Sequence, residues 1–143
     1  MKRTGWRELG AGSDAALLIW APTNIDLFIA GARSLYMFAL DMDDQERDSR
    51  KGPEIRLVAP DSIELFLIWM NELNYRLQVN NWISWSPVFS YMSDNNLICR
   101  LNGFRRNNRT DLFQHEIKAV TRHRPFLNKG TDGTWVARVT LDL

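Results

Sequence analysis

The sequence predicts an α+β fold: a single domain in which a mixed, mostly antiparallel β-sheet packs in two layers against two main helices. Three observations carry this expectation. Two long apolar patterns at helical spacing fall in the first half of the chain, and alternating, turn-punctuated segments fill the second half. Each helical pattern has an apolar stripe, and one face of a sheet is the surface that buries two such stripes. No repeat, low-complexity stretch or composition break divides the 143 residues, a length that encloses a core of its own.

Trp6 to Leu9 reads as a short strand, followed by the turn Gly10-Ala11-Gly12-Ser13. Ala15 to Trp20 is an apolar run rich in strand formers, closed by Ala21-Pro22. Thr23 stands as an N-cap with Asp26 three residues on, which is capping-box spacing. Ile25, Phe28, Ile29, Ala32, Leu35 and Ala39 then recur at helical spacing, so a helix spans about Asn24 to Leu40. Asp41 to Pro53 is polar and patternless and reads as a loop; Glu54 to Ala59 alternates as a strand. Asp61 caps a second helix with the stripe Ile63, Phe66, Leu67, Met70 and Leu73, ending near Asn80-Asn81.

The rest reads as strands: Ile83 to Met92, Leu97 to Phe104, Ile117 to Phe126 and Trp135 to Leu143. Ser93-Asp94-Asn95-Asn96 turns between the first two, and Asn128 to Gly133 turns between the last two. The last strand places Val136, Arg138, Thr140 and Asp142 on one side and Trp135, Ala137, Val139, Leu141 and Leu143 on the other.

Composition narrows the function. Hydrophobic residues at 45% and charged residues at 24% describe a globular chain, not a disordered one. A net charge of +1 gives no global field toward nucleic acid, so any such binding needs a local patch. The single cysteine, Cys99, excludes a disulfide within the chain, and its alternation between Leu97 and Leu101 makes it an inert core thiol. No apolar run reaches membrane-spanning or signal length, and the expected location is cytoplasmic. The six tryptophans are read as core and half-buried packing.

The sharpest chemical candidate is a metal site. Asp14 opens a strand after a glycine-containing turn, and Asp142 stands beside Leu143 at the other end of the sequence. If those strands are neighbours, two carboxylates and a terminal carboxylate or carbonyl gather hard oxygens suited to Ca²⁺ or Mg²⁺. The residues alone leave open that both are simply exposed strand ends. Two histidines and one cysteine give a transition metal little to hold. Asp41-Met42-Asp43-Asp44 lacks the glycine and distal glutamate of a calcium loop and reads as a solvated charge run. His123 has no nucleophile motif beside it, and no glycine-rich phosphate loop exists, so a contact or structural role is expected over catalysis. Alternation puts Thr121 and His123 on one face and Lys118, Val120 and Arg122 on the other. Arg105, Arg106 and Arg109, with Arg122 and Arg124, read equally as a basic surface or a solvated loop.

One family resembles this pattern along nearly its whole length. His115-Glu116-Ile117-Lys118-Ala119-Val120-Thr121-Arg122-His123 resembles the archease signature VKAVTYH with its preceding acid. Gly133-Thr134-Trp135-Val136-Ala137 through Asp142-Leu143 is similar to that family's closing strand, with an aspartate one residue from the end. Trp69-Met70-Asn71-Glu72-Leu73 is similar to its WLNEL helix motif. Ser13-Asp14 stands where the family has HTAD, and Thr23 to Phe28 where it has TLEELF. The chain departs from the pattern at Ala11 (a histidine in the family), at Arg122 (a tyrosine) and near Asp111, where a further histidine falls.

The resemblance implies an accessory protein rather than an enzyme. Its partner would be an RNA-splicing ligase of the RtcB kind, whose guanylylation and multiple turnover it promotes, so that RNA and GTP are met through the ligase. It also implies calcium, or another hard divalent cation such as Mg²⁺, at Asp14, Asp142 and Leu143. Glu116, Lys118, Arg122 and His123 are the partner-contact candidates. Two rivals stand beside it: an RNA-binding module using the Arg105–Arg109 loop, and a metal-dependent hydrolase.

Overall fold

A computed structural model describes residues 3–10 and 15–143. The elements run β1 (Gly5–Gly10), β2 (Ala15–Ala21), α1 (Asn24–Ala39), β3 (Glu54–Val58), α2 (Ser62–Asn80), β4 (Trp82–Ile83), β5 (Val88–Met92), β6 (Asn96–Arg100), β7 (Phe104–Arg105), β8 (Ala119–Lys129) and β9 (Trp135–Asp142). Both helices start where their caps dictate. Thr23 Oγ1 accepts from the Asp26 N–H and Asp61 Oδ1 from the Glu64 N–H, each satisfying a donor the helix itself cannot. α2 stops at Asn81, which adopts φ 53°, a left-handed conformation asparagine tolerates.

The α+β class and the packing of two helices on a sheet are as the sequence predicts. The single mixed sheet is not: the described residues form three sheets, all antiparallel, ordered β1-β2-β9-β8, β3-β6-β5 and β4-β7. Ile83 to Met92 divides because Ser84 gives its N–H to the buried Tyr36 hydroxyl (2.9 Å) instead of a ladder, and Pro87 has no N–H to give. Leu97 to Phe104 divides where Leu101 gives its N–H to the Pro53 carbonyl and its carbonyl accepts from the Trp82 indole. β8 starts at Ala119 and runs to Lys129, three residues past the predicted end, so the turn proper is Gly130–Gly133, with Gly133 at φ 88°.

The main sheet buries Leu17, Ile19, Ala137, Val139 and Leu141 completely on its inner face. α1 lies over β2 and α2 over β8. The helices cross at Gly31, where an added Cβ would lie 2.8 Å from the Phe66 ring. At that crossing Phe28 meets Phe66 edge-to-face at 5.0 Å, and the Trp69 indole N–H donates to the Phe28 carbonyl at 2.9 Å. α1 is enclosed on more sides than one stripe implies: Leu27 and Tyr36 are buried, while Ile25, assigned to the stripe, is 38% exposed. Cys99 is buried as expected, and burial pushes its thiol up to about 12. No helix among the described residues is long and apolar enough to cross a membrane.

Candidate functional site

Strand register brings the start of β2 and the end of β9 together at one end of the main sheet. Ala15 pairs with Leu141, and Ala119 pairs with Asp142. The Lys118 N–H donates to the Asp142 carbonyl at 2.8 Å, extending the ladder one residue before β8. Asp142 and Leu143 are exposed there. Asp14 and Ala11 lie outside the described residues, but Asp14 is the covalent neighbour of Ala15, as Asp142 is of Leu141. A carboxylate and a main-chain or terminal oxygen, open to water, are donors a hard divalent cation accepts. Among the described residues no three histidine, cysteine, aspartate or glutamate side chains come together.

The segment leading into β8 is fixed from below by the asparagines of α2. β8 is the edge of its sheet, and an edge strand leaves main-chain groups without a ladder. Asn71 serves as a surrogate strand: its Nδ2 donates to the Val120 carbonyl and its Oδ1 accepts from the Val120 N–H, both at 2.9 Å. Asn74 Nδ2 donates to the Ile117 carbonyl at 2.7 Å. With Ile117 and Val120 buried, Glu116 and Lys118 face solvent beside Asp142. Asn71 thus bonds a neighbouring segment, whereas Glu72 pairs with Arg76 one turn on, at 2.8 Å. Trp69 is fully buried, as core packing requires. Asn74 is a residue sequence reasoning missed, although it sits one helical step from Asn71.

Beyond Thr121 the regular pairing breaks. Thr121 pairs with Thr140 and Phe126 with Arg138, so four residues of β8, Arg122 to Pro125, oppose the single Val139. This large bulge leaves Arg122 and His123 on the faces alternation gives them and shifts the register from Phe126 onward. Arg122 turns to Glu64 of α2 at 2.7 Å, and His123 is exposed. Arg124 takes φ 52°, unusual for a residue with a side chain. β9 holds the bulge: Thr140 Oγ1 donates to the His123 carbonyl (2.8 Å) and Arg138 Nη1 to the Arg124 carbonyl (2.9 Å). Pro125, inside an otherwise strand-like run, is the sequence signal that marked the break.

The other candidates are spread elsewhere. Arg106 is consumed internally: it donates to Asn81 Oδ1 and the Asp111 carbonyl, both at 3.0 Å, and lies over the Phe113 ring. Arg105 donates to the Asn80 carbonyl at 3.3 Å. Asp111 is buried and paired with Arg47 at 3.1 Å. His115 stacks on Phe38 at 4.4 Å. In the acidic run, Asp44 is taken up with Glu46 by Arg33.

Residues 6–143 match the sequence profile of the archease protein family. The chain belongs to the archease family. It is 30% identical over 143 residues to the protein archease of Methanopyrus kandleri, covering 96% of this chain and 99% of that one. It is 27% identical over 135 residues to the archease of Methanosarcina mazei, covering 92% of this chain and 90% of that one. Two solved structures share the fold. One is the solution structure of Methanobacterium thermoautotrophicum protein 1598, at TM-score 0.69 and 21% identity over 97% of this chain and 99% of that one. The other is the crystal structure of a Thermotoga maritima archease, described as a possible chaperone, at TM-score 0.59 and 14% identity over 96% of each chain. The archease match thus runs from Trp6 in β1 through the acidic end of β9.

Proposed function

We propose that this archease activates an RNA-splicing ligase of the RtcB kind, promoting its guanylylation and repeated turnover, and is not itself an enzyme. In this account Asp14, Asp142 and a main-chain or terminal oxygen of Leu143 hold a hard divalent cation, Ca²⁺ or Mg²⁺. Such a cation neutralises phosphate charge and orients a triphosphate for transfer. The observation that carries the proposal is the β2–β9 register: Ala15 opposite Leu141 makes neighbours of the residues covalently next to both aspartates.

The chain's own residues do the positioning. Asn71 and Asn74 hold the main chain of Val120 and Ile117, which fixes Lys118 and Glu116 beside Asp142 as contacts for the ligase. Arg122 and His123, exposed on the bulge, extend that contact surface. Engagement of Arg106 with Asn81 and Asp111 argues against the Arg105–Arg109 loop as an independent RNA-binding patch.

Mixing the purified chain with such a ligase and GTP tests the proposal. Ligase guanylylation is expected to accelerate, and Asp142→Ala to cut that acceleration at least about tenfold, since losing a ligand exceeds losing a ligand's support. No acceleration by the native chain, or equal acceleration by Asp142→Ala, contradicts it.

A further inference from the structure

The outward face of the main sheet carries a second feature, built by the bulge. A groove of about 480 Å³ opens over Ala16 and Gly10 and is walled by His123, Arg124, Arg138 and Thr140. Three of these walls bring cationic or hydrogen-bonding nitrogen. Among the described residues neither Arg124 nor Arg138 forms an ion pair with a carboxylate, whereas Arg33, Arg47, Arg76 and Arg122 each do. Arg138 is held in place: one guanidinium nitrogen bonds the Arg124 carbonyl at 2.9 Å and Thr140 Oγ1 at 3.2 Å, which leaves its other nitrogens as donors. Thr140, only 3% exposed, is committed between His123 and Arg138. Arg124 keeps its left-handed backbone, a conformation that costs energy and that surrounding bonds must maintain.

We infer that this groove binds the polyphosphate chain of a nucleotide. Two guanidinium groups lining a pocket, that of Arg138 held by hydrogen bonds, present the planar, forked donors that suit phosphate oxygens. The pocket lies on the same face as Asp142, two residues along β9 from Thr140, or about 7 Å. A polyphosphate seated there reaches from the arginines toward the carboxylate proposed to hold the cation. The biological setting rests on the ligase-activating function; binding itself does not.

Calorimetric titration of the full chain with inorganic triphosphate, in chelator, tests the groove without any metal. Parallel titrations use GTP and a short RNA ending in a 3′-phosphate. Triphosphate and GTP are expected to bind alike. Arg124→Gly and Arg138→Gln should each weaken both by about tenfold or more. Arg124→Gly removes the groove's guanidinium where glycine suits the backbone, so its fold is retained and its loss of binding reports the contact. Failure of triphosphate to bind, equal binding by Arg124→Gly, or tighter binding of the RNA than of triphosphate overturns the inference. Triphosphate binding without acceleration of a ligase defeats the ligase function and leaves the groove standing; acceleration without triphosphate binding does the reverse.

Discussion

The two halves of β8 are held in opposite ways. At its start, Val120 and the preceding Ile117 are buried, and their main-chain groups are met by Asn71 and Asn74 reaching up from α2 beneath. At its bulge, His123 and Arg124 are exposed, and their carbonyls are met by Thr140 and Arg138 from the outer face of β9. Hydrogen bonds of similar length are made at both ends, yet their loss has different consequences. A main-chain group stranded in the interior has no water to turn to, whereas a carbonyl at the surface has. The core-supported half therefore fixes position, and the surface-supported half is free to carry a shape that serves recognition.

The largest effect is expected at the supported half. Asn71→Leu fills the same space but abandons the Val120 N–H and carbonyl, at a cost of about 3 kcal/mol in unfolding free energy by urea titration. Ligase acceleration should fall with it, as Lys118 loses its fixed place. A cost below about 1 kcal/mol would show that Val120 finds other partners, and that β8 is not anchored from α2. Thr140→Val is the matched change at the other half. It removes the hydroxyl that bonds His123 and Arg138, and should cost only about 1 kcal/mol while weakening triphosphate binding several-fold. A cost equal to that of Asn71→Leu would erase the distinction between the two halves.

The same contrast explains what the sequence disclosed. The caps Thr23 and Asp61, both helices and the alternation of β9 are local patterns, and each is written in neighbouring residues. The separation of β4 from β5 is not local: it turns on Ser84 meeting Tyr36, 48 residues away. The bulge depends on β9 side chains bonding β8 main chain and was not legible, although alternation did send Arg122 toward α2 and His123 to the outer face. Asp142 was legible because it ends a regular strand within a family-like motif. The Arg124–Arg138 groove was not, since its walls come from strands whose register only the folded chain sets. Asp14 lies outside the described residues.

The most direct test of the cation corner is a calorimetric calcium titration of the native chain beside Asp14→Asn and Asp142→Asn. Both changes keep the side-chain shape and remove one negative charge each. A single site in the native chain, weakened at least about tenfold by either substitution, is the expected result. Undiminished binding in both variants, or no binding by the native chain, would contradict the account that the ends of β2 and β9 share an ion.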